Sequence, residues 1–224
     1  MKKKSIALTL TAVMLALAVG IGGTIAYFTA KTDDVVNTFT TSSGIDIKLD
    51  EAKVGEDWKA ITGEGATRVT SNTYNNIVPG AELDKDPTVT VNDGSDDAYI
   101  AVKVVVSKAE AWKDIVSAQK NNLTYATLKA SLFNGLDTAN SWKEIQADDA
   151  TMTYVYMWKG AVDGVVSANN GYTLFNKVVI PSTLDNGEMN SIKDFKITVT
   201  AYAVQAQGVS VATAETELIN LANK

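Results

Sequence analysis

Asp93, Asp96 and Asp97, in the run Asn92-Asp-Gly-Ser-Asp-Asp97, are the side chains whose type and spacing most resemble a metal site. Clustered carboxylate and carbonyl oxygens are hard ligands that suit Ca²⁺. The run lacks EF-hand spacing and a closing Glu, and Asn-Asp-Gly also supplies the positive φ that a polar turn needs. The turn is the preferred reading, and Asp93, Asp96 and Asp97 stand as a weak calcium candidate with no cofactor expected. Trp58, Trp112, Trp142 and Trp158 are a second candidate set, since aromatic faces stack on sugars. Scattered Trp residues more often close a core or its rim.

Catalysis is constrained by what the chain omits. It contains no His and no Cys. Histidine triads, thiol dyads, HExxH zinc sites and imidazole proton shuttles are therefore excluded. Carboxylate pairs and a Ser–Lys pair remain as chemical options. However, 26 acidic residues on a solvated surface produce neighbours by chance. No P-loop or Rossmann glycine pattern appears. The expectation is a protein that is not an enzyme.

The most informative chemistry lies at the N-terminus and would be performed on the chain rather than by it. Lys2, Lys3 and Lys4 form a cationic start, Ile6 to Val19 is apolar, and Thr24-Ile25-Ala26 offers small residues to a signal peptidase. The expected cut follows Ala26, so Thr24, Ala26 and Tyr27 define the processing site. The alternative is an uncleaved anchor, because Ser5 to Ala26 carries no charge and roughly 20 apolar residues span a bilayer. Gly20, Gly22, Gly23 and Thr24 weaken such a span and favour cleavage. Either way the body is expected outside the cell, touching membrane only through the uncleaved segment.

Cleavage would take the formal charge from −6 to −9. That balance argues against nucleic acid, which calls for clustered Lys and Arg. The 198 residues that remain suffice for one core domain. The expected layout is a signal segment at 1–26, a mobile segment at 27–39 and one domain at 40–224.

The elements read as strands with local helices. Ile45, Ile47 and Leu49 alternate with Asp46, Lys48 and Asp50, which puts one face on a core and the other in water. Ala98 to Val106 is apolar on both faces and reads as a central strand. Phe195, Ile197, Val199, Ala201 and Ala203 repeat the two-residue period. Further strands are expected at 151–158 and 172–180, joined by a turn-rich loop, with helices at 109–119, 125–133 and 213–222. The fold class is mainly β: a jelly-roll-like antiparallel sandwich of two sheets with short helices in the connections.

The stretch from Gly22 to Glu51, GGTIAYFTAKTDDVVNTFTTSSGIDIKLDE, resembles the N-terminus of the TasA and camelysin family. These are exported Gram-positive proteins processed by a SipW-type signal peptidase. Residues 76–90 leading to 97–103, and residues 195–208, add two further family-like stretches. The resemblance implies a biofilm-matrix or cell-surface fibre subunit that assembles head to tail with copies of itself, with residues 27–39 as a donor strand. Tyr27, Phe28, Val35, Val36 and Phe39 are the implied anchors, and the same segment could instead fold back as its own first strand. The alternative function is a secreted or membrane-tethered module that binds a glycan or protein and stays monomeric. The peptidase activity often attached to camelysin-like proteins does not carry over, since zinc peptidases need His ligands.

Overall fold

Period-two patterning becomes antiparallel sheet in a computed structural model that describes residues 44–118, 122–160 and 162–224. The chain divides near residue 41, and the described residues all belong to the unit Ser42–Lys224. The first sheet joins β1 (Ile47–Ala52), β2 (Arg68–Val69), β4 (Thr88–Val91) and β8 (Gly171–Thr173) in the order β2-β1-β4-β8. The second joins β5 (Ala98–Val106), β6 (Trp142–Asp148), β7 (Thr153–Trp158) and β10 (Ile197–Gln205) in the order β10-β5-β7-β6. A two-stranded ribbon pairs β3 (Glu82–Asp84) with β9 (Lys177–Val179). Four short α-helices, α1 (Ala109–Ser117), α2 (Tyr125–Leu132), α3 (Asn186–Ser191) and α4 (Val211–Ala222), and a 3-10 turn at Val162–Gly164 complete the described elements.

The fold is mainly β, as the alternation implied. One core cluster takes Val89 and Val91 from the first sheet and Ile100, Val102, Val104, Tyr154 and Tyr156 from the second. The two sheets thus face each other as a sandwich, with Phe133, at the C-terminal end of α2, stacked on Phe175 (centroids 5.4 Å apart) in the same core. The opposite face of β5 and β7 carries Tyr99, Ala101, Val155 and Met157, and Ala214, Leu218 and Ala222 of α4 cover it. Both faces of β5 are therefore buried, the reason its sequence is apolar throughout. Lys103 is the exception on that strand, and its ammonium donates to the Ala222 carbonyl at 2.6 Å. A cation there satisfies an orphan carbonyl at a helix C-terminus. Among the described residues no helix is long and apolar enough to cross a membrane.

Two expectations need correction. The single strand expected over 172–180 is two strands in different sheets, β8 against β4 and β9 against β3. Leu174 and Phe175 are buried between them, and Asn176 leaves the ladder to donate its backbone N–H to Asn134. Nor does this region hairpin with β7. β7 lies between β5 and β6, and Lys143, Glu144, Gln146 and Asp148 of β6 hide the period that marks a strand.

Candidate functional site

Strand ladders leave backbone groups unpaired wherever a sheet ends, and the sandwich has one such edge of unusual length. β10 pairs with β5 over nine residues, from Ile197 opposite Val106 to Gln205 opposite Ala98. Ser107 N–H donates to the Lys196 carbonyl at 2.9 Å, and Ala206 N–H donates to the Asp97 carbonyl at 2.9 Å. In an antiparallel pair only alternate residues exchange hydrogen bonds. The even positions 198, 200, 202 and 204 therefore bond to β5, and Ile197, Val199, Ala201 and Ala203 turn their N–H and C=O groups outward. Those four residues have their side chains against the main core, yet each is only partly buried. Among the described residues no strand covers this edge, which presents backbone groups and core-facing apolar side chains at the same positions.

β1 shows the same defect on the facing sheet. Asn92 N–H donates to the Asp46 carbonyl at 3.0 Å, so the even residues bond to β4 and the odd ones, Ile47 and Leu49, face away. The two-residue strand β2 covers only Glu51 and Ala52. Leu49 and Glu51 of β1 and residues 194–199 of the β10 arm line an open groove of about 580 Å³. Leu83, Lys85, Pro87 and Val178 form part of its remaining wall, and the rest is the segment 70–77, which makes no backbone–backbone hydrogen bond among the described residues. Side chains hold it instead. Tyr74 donates its hydroxyl to the Asp84 carbonyl at 2.7 Å, Asn72 donates to the Ala52 carbonyl at 2.8 Å, and the Trp58 indole donates to the Asn75 carbonyl at 3.0 Å.

Charges close the groove at the β2 end. Glu51, whose side chain is 6% exposed, accepts from Lys85 and from Asn72. Asp50, 5% exposed, accepts from Arg68 and is paired with Lys48 at 2.6 Å. Arg68 reaches on to Asp86 at 2.9 Å. Burial by itself would raise the Asp50 carboxyl, but the bonds from Arg68 and Lys48 outweigh it and hold the group below its ordinary value. Burial likewise pushes the Tyr74 hydroxyl well above a normal phenol, assisted by the negative Glu51, Asp84 and Asp86 around it. Tyr74 therefore stays a neutral donor at any ordinary pH.

The residues expected to act are distributed unevenly relative to this site. Thr24, Ala26, Tyr27, Phe28, Val35, Val36 and Phe39 lie outside the described residues. Asp93, Asp96 and Asp97 form a turn: Gly94 has φ +75°, and Ser95 N–H donates to Asn92 at 3.2 Å. Asp93 accepts from the Asn169 amide at 3.0 Å, and among the described residues no three acidic side chains are placed to hold a metal ion. Trp112 and Trp142 are core residues at 0% and 1% exposure. Trp142 and Trp158 meet edge to face at 5.2 Å, as do Trp158 and Tyr172 at 4.9 Å, so they form no flat platform. The groove was missed from sequence; its one local signal was nine residues, Ile197 to Gln205, with neither charge nor proline.

No protein-family model, curated protein or solved structure matches the chain.

Proposed function

We propose that the chain is an exported structural protein, a TasA-like subunit of a biofilm-matrix or cell-surface fibre assembled by β-strand donation. The observation that carries this reading is the character of the β10 edge. Natural sheets blunt their edges with short strands, bulges, inward charges or proline. β6, the opposite edge of the same sheet, has a bulge between Glu144 and Gln146 and charges at Lys143, Glu144 and Asp148. β2 and β8 are two and three residues long. β10 has nine regular residues and none of these devices. An added strand would pair with four outward-facing residues of β10 while its alternate side chains fill the groove, the division of labour typical of strand addition.

The resemblance at residues 22–51 supplies the donor, residues 27–39 of a neighbouring copy. A head-to-tail contact of this kind does not close on itself and so propagates as a filament. Cleavage after Ala26 frees the donor from a membrane-bound segment and acts as the trigger. The test is electron microscopy of the exported protein beside a variant lacking residues 27–38. The wild type is expected to begin at Tyr27 by intact mass and to form fibres, and the deletion to remain a cooperatively melting, β-rich monomer. A deletion variant that polymerises as the wild type does would remove residues 27–39 as donor.

A further inference from the structure

Lys85 is a largely buried cation in the wall of a groove whose lining mixes polar and apolar side chains. Its side chain is only 12% exposed, and its ammonium donates to the Glu51 carboxylate as its one hydrogen bond among the described residues. An ammonium has three N–H donors, so two remain for whatever enters the groove. Water in the open groove can serve them, and donors that lose water without gaining a partner are costly. An occupant that brings an oxygen to this point replaces that water, and one that brings a methyl group strands the donors.

The neighbours of the ion pair set the pattern on either side. Leu49 lies two residues from Glu51 along β1, and Leu83 lies two residues from Lys85 along β3 and its continuation. All four line the groove. On each of the two strands, therefore, a leucine and a member of the ion pair stand two residues apart, the period that an extended strand presents on one face. We infer that Lys85 is the register-setting residue of the groove, and that the groove takes an extended segment with an oxygen-bearing side chain between two apolar ones, Val35-x-Asn37-x-Phe39 of a second copy. This rests on the strand-donation reading above. Within residues 27–43 this is the one place where an apolar, a polar and an apolar residue follow at alternate positions. Asn37 brings a carbonyl oxygen to the ammonium, with Val35 and Phe39 against the Leu49 and Leu83 sides of the wall.

The test uses a fluorescently labelled peptide of residues 33–41 and the exported protein, with binding followed by anisotropy. The native peptide is expected to bind about tenfold more tightly than its Asn37→Leu form, the worth of one charge-assisted hydrogen bond. Lys85→Met alone strands the Glu51 carboxylate and is a poor probe, so the second protein is the double variant Glu51→Leu/Lys85→Met, which replaces a buried pair with apolar groups of similar size. It is expected to keep its cooperative melt and to bind the Asn37→Leu peptide at least as well as the native one. Equal binding of the two peptides to the wild type, or a preference for Asn37 that survives in the double variant, would overturn the inference. Fibres from a protein that binds neither peptide would also overturn it while leaving strand donation intact. The expected preference in a protein that never forms fibres would uphold the groove assignment and remove the fibre function.

Discussion

Asp50 falls at a position where strand alternation points a side chain toward water, yet it is buried, because Arg68 and Asp86 fold over it. Removing the guanidinium leaves a buried carboxylate with Lys48 as its one remaining cation among the described residues. Arg68→Ala is expected to cost about 2 kcal/mol near neutral pH, less than for a fully buried pair because Arg68 is partly exposed. The sign of its pH dependence follows from the lowered carboxyl value of Asp50. A lowered value contributes stability that is present above the unfolded value of about 3.9 and is lost as pH falls through the folded one. The gap between wild type and Arg68→Ala should therefore be widest above about pH 5 and should narrow in acid. Urea melts between neutral pH and pH 3 would show it, and a gap that grows in acid would contradict the pairing.

Two buried tryptophans offer a second comparison at the same scale. Trp142 donates its indole N–H to the Thr173 carbonyl at 3.0 Å and so ties β6 to β8 across the sandwich. The Trp112 indole N–H is buried without a partner. Replacement by Phe removes similar volume from each site, but only at position 142 does it break a hydrogen bond, the one to the Thr173 carbonyl. Trp142→Phe should destabilise by about 1 kcal/mol more than Trp112→Phe in denaturant titrations. Equal losses would mean that the Trp142 bond contributes nothing net.

At the scale of elements, legibility followed the solvent environment. β5 was readable because both its faces are buried, one in the sandwich and one under α4. α1 and α4 were readable from their apolar spacing, and α2 from the Asn134-Gly135 stop that follows it, where Gly135 has φ +88°. β6 was not, since an edge strand with a solvated face carries the charges of a loop. The break between β8 and β9 was hidden for the opposite reason. Leu174 and Phe175 continue the apolar run while the backbone changes sheets, and no glycine or proline marks the crossing. The groove was least legible of all. Glu51 and Lys85 lie 34 residues apart and look like ordinary surface charges until β1 and the residue following β3 bring them together.

At the scale of the molecule, the sandwich is complete on the side where Trp142, Trp158 and Tyr172 pack edge to face between its sheets. On the other side, among the described residues, no strand pairs with the outer edge of β10 or with Ile47 and Leu49 of β1. The absence of Cys means that no disulfide can close this side, and the strand-donation proposal fills it with an added strand. The N–H of Ala201 points outward and that of Thr200 points to β5, by the register of Thr200 opposite Lys103. Proline is tolerated on an edge where its missing N–H would face away from the ladder. Ala201→Pro should therefore keep the fold and block an incoming strand, whereas Thr200→Pro should break the internal ladder and lower stability by ~3 kcal/mol or more.

The central measurement is electron microscopy of the exported wild type and Ala201→Pro, each checked for a cooperative melt. The account predicts fibres from the wild type and well-folded monomers from Ala201→Pro. Fibres of normal abundance and length from Ala201→Pro would show that β10 is not the edge on which the protein assembles.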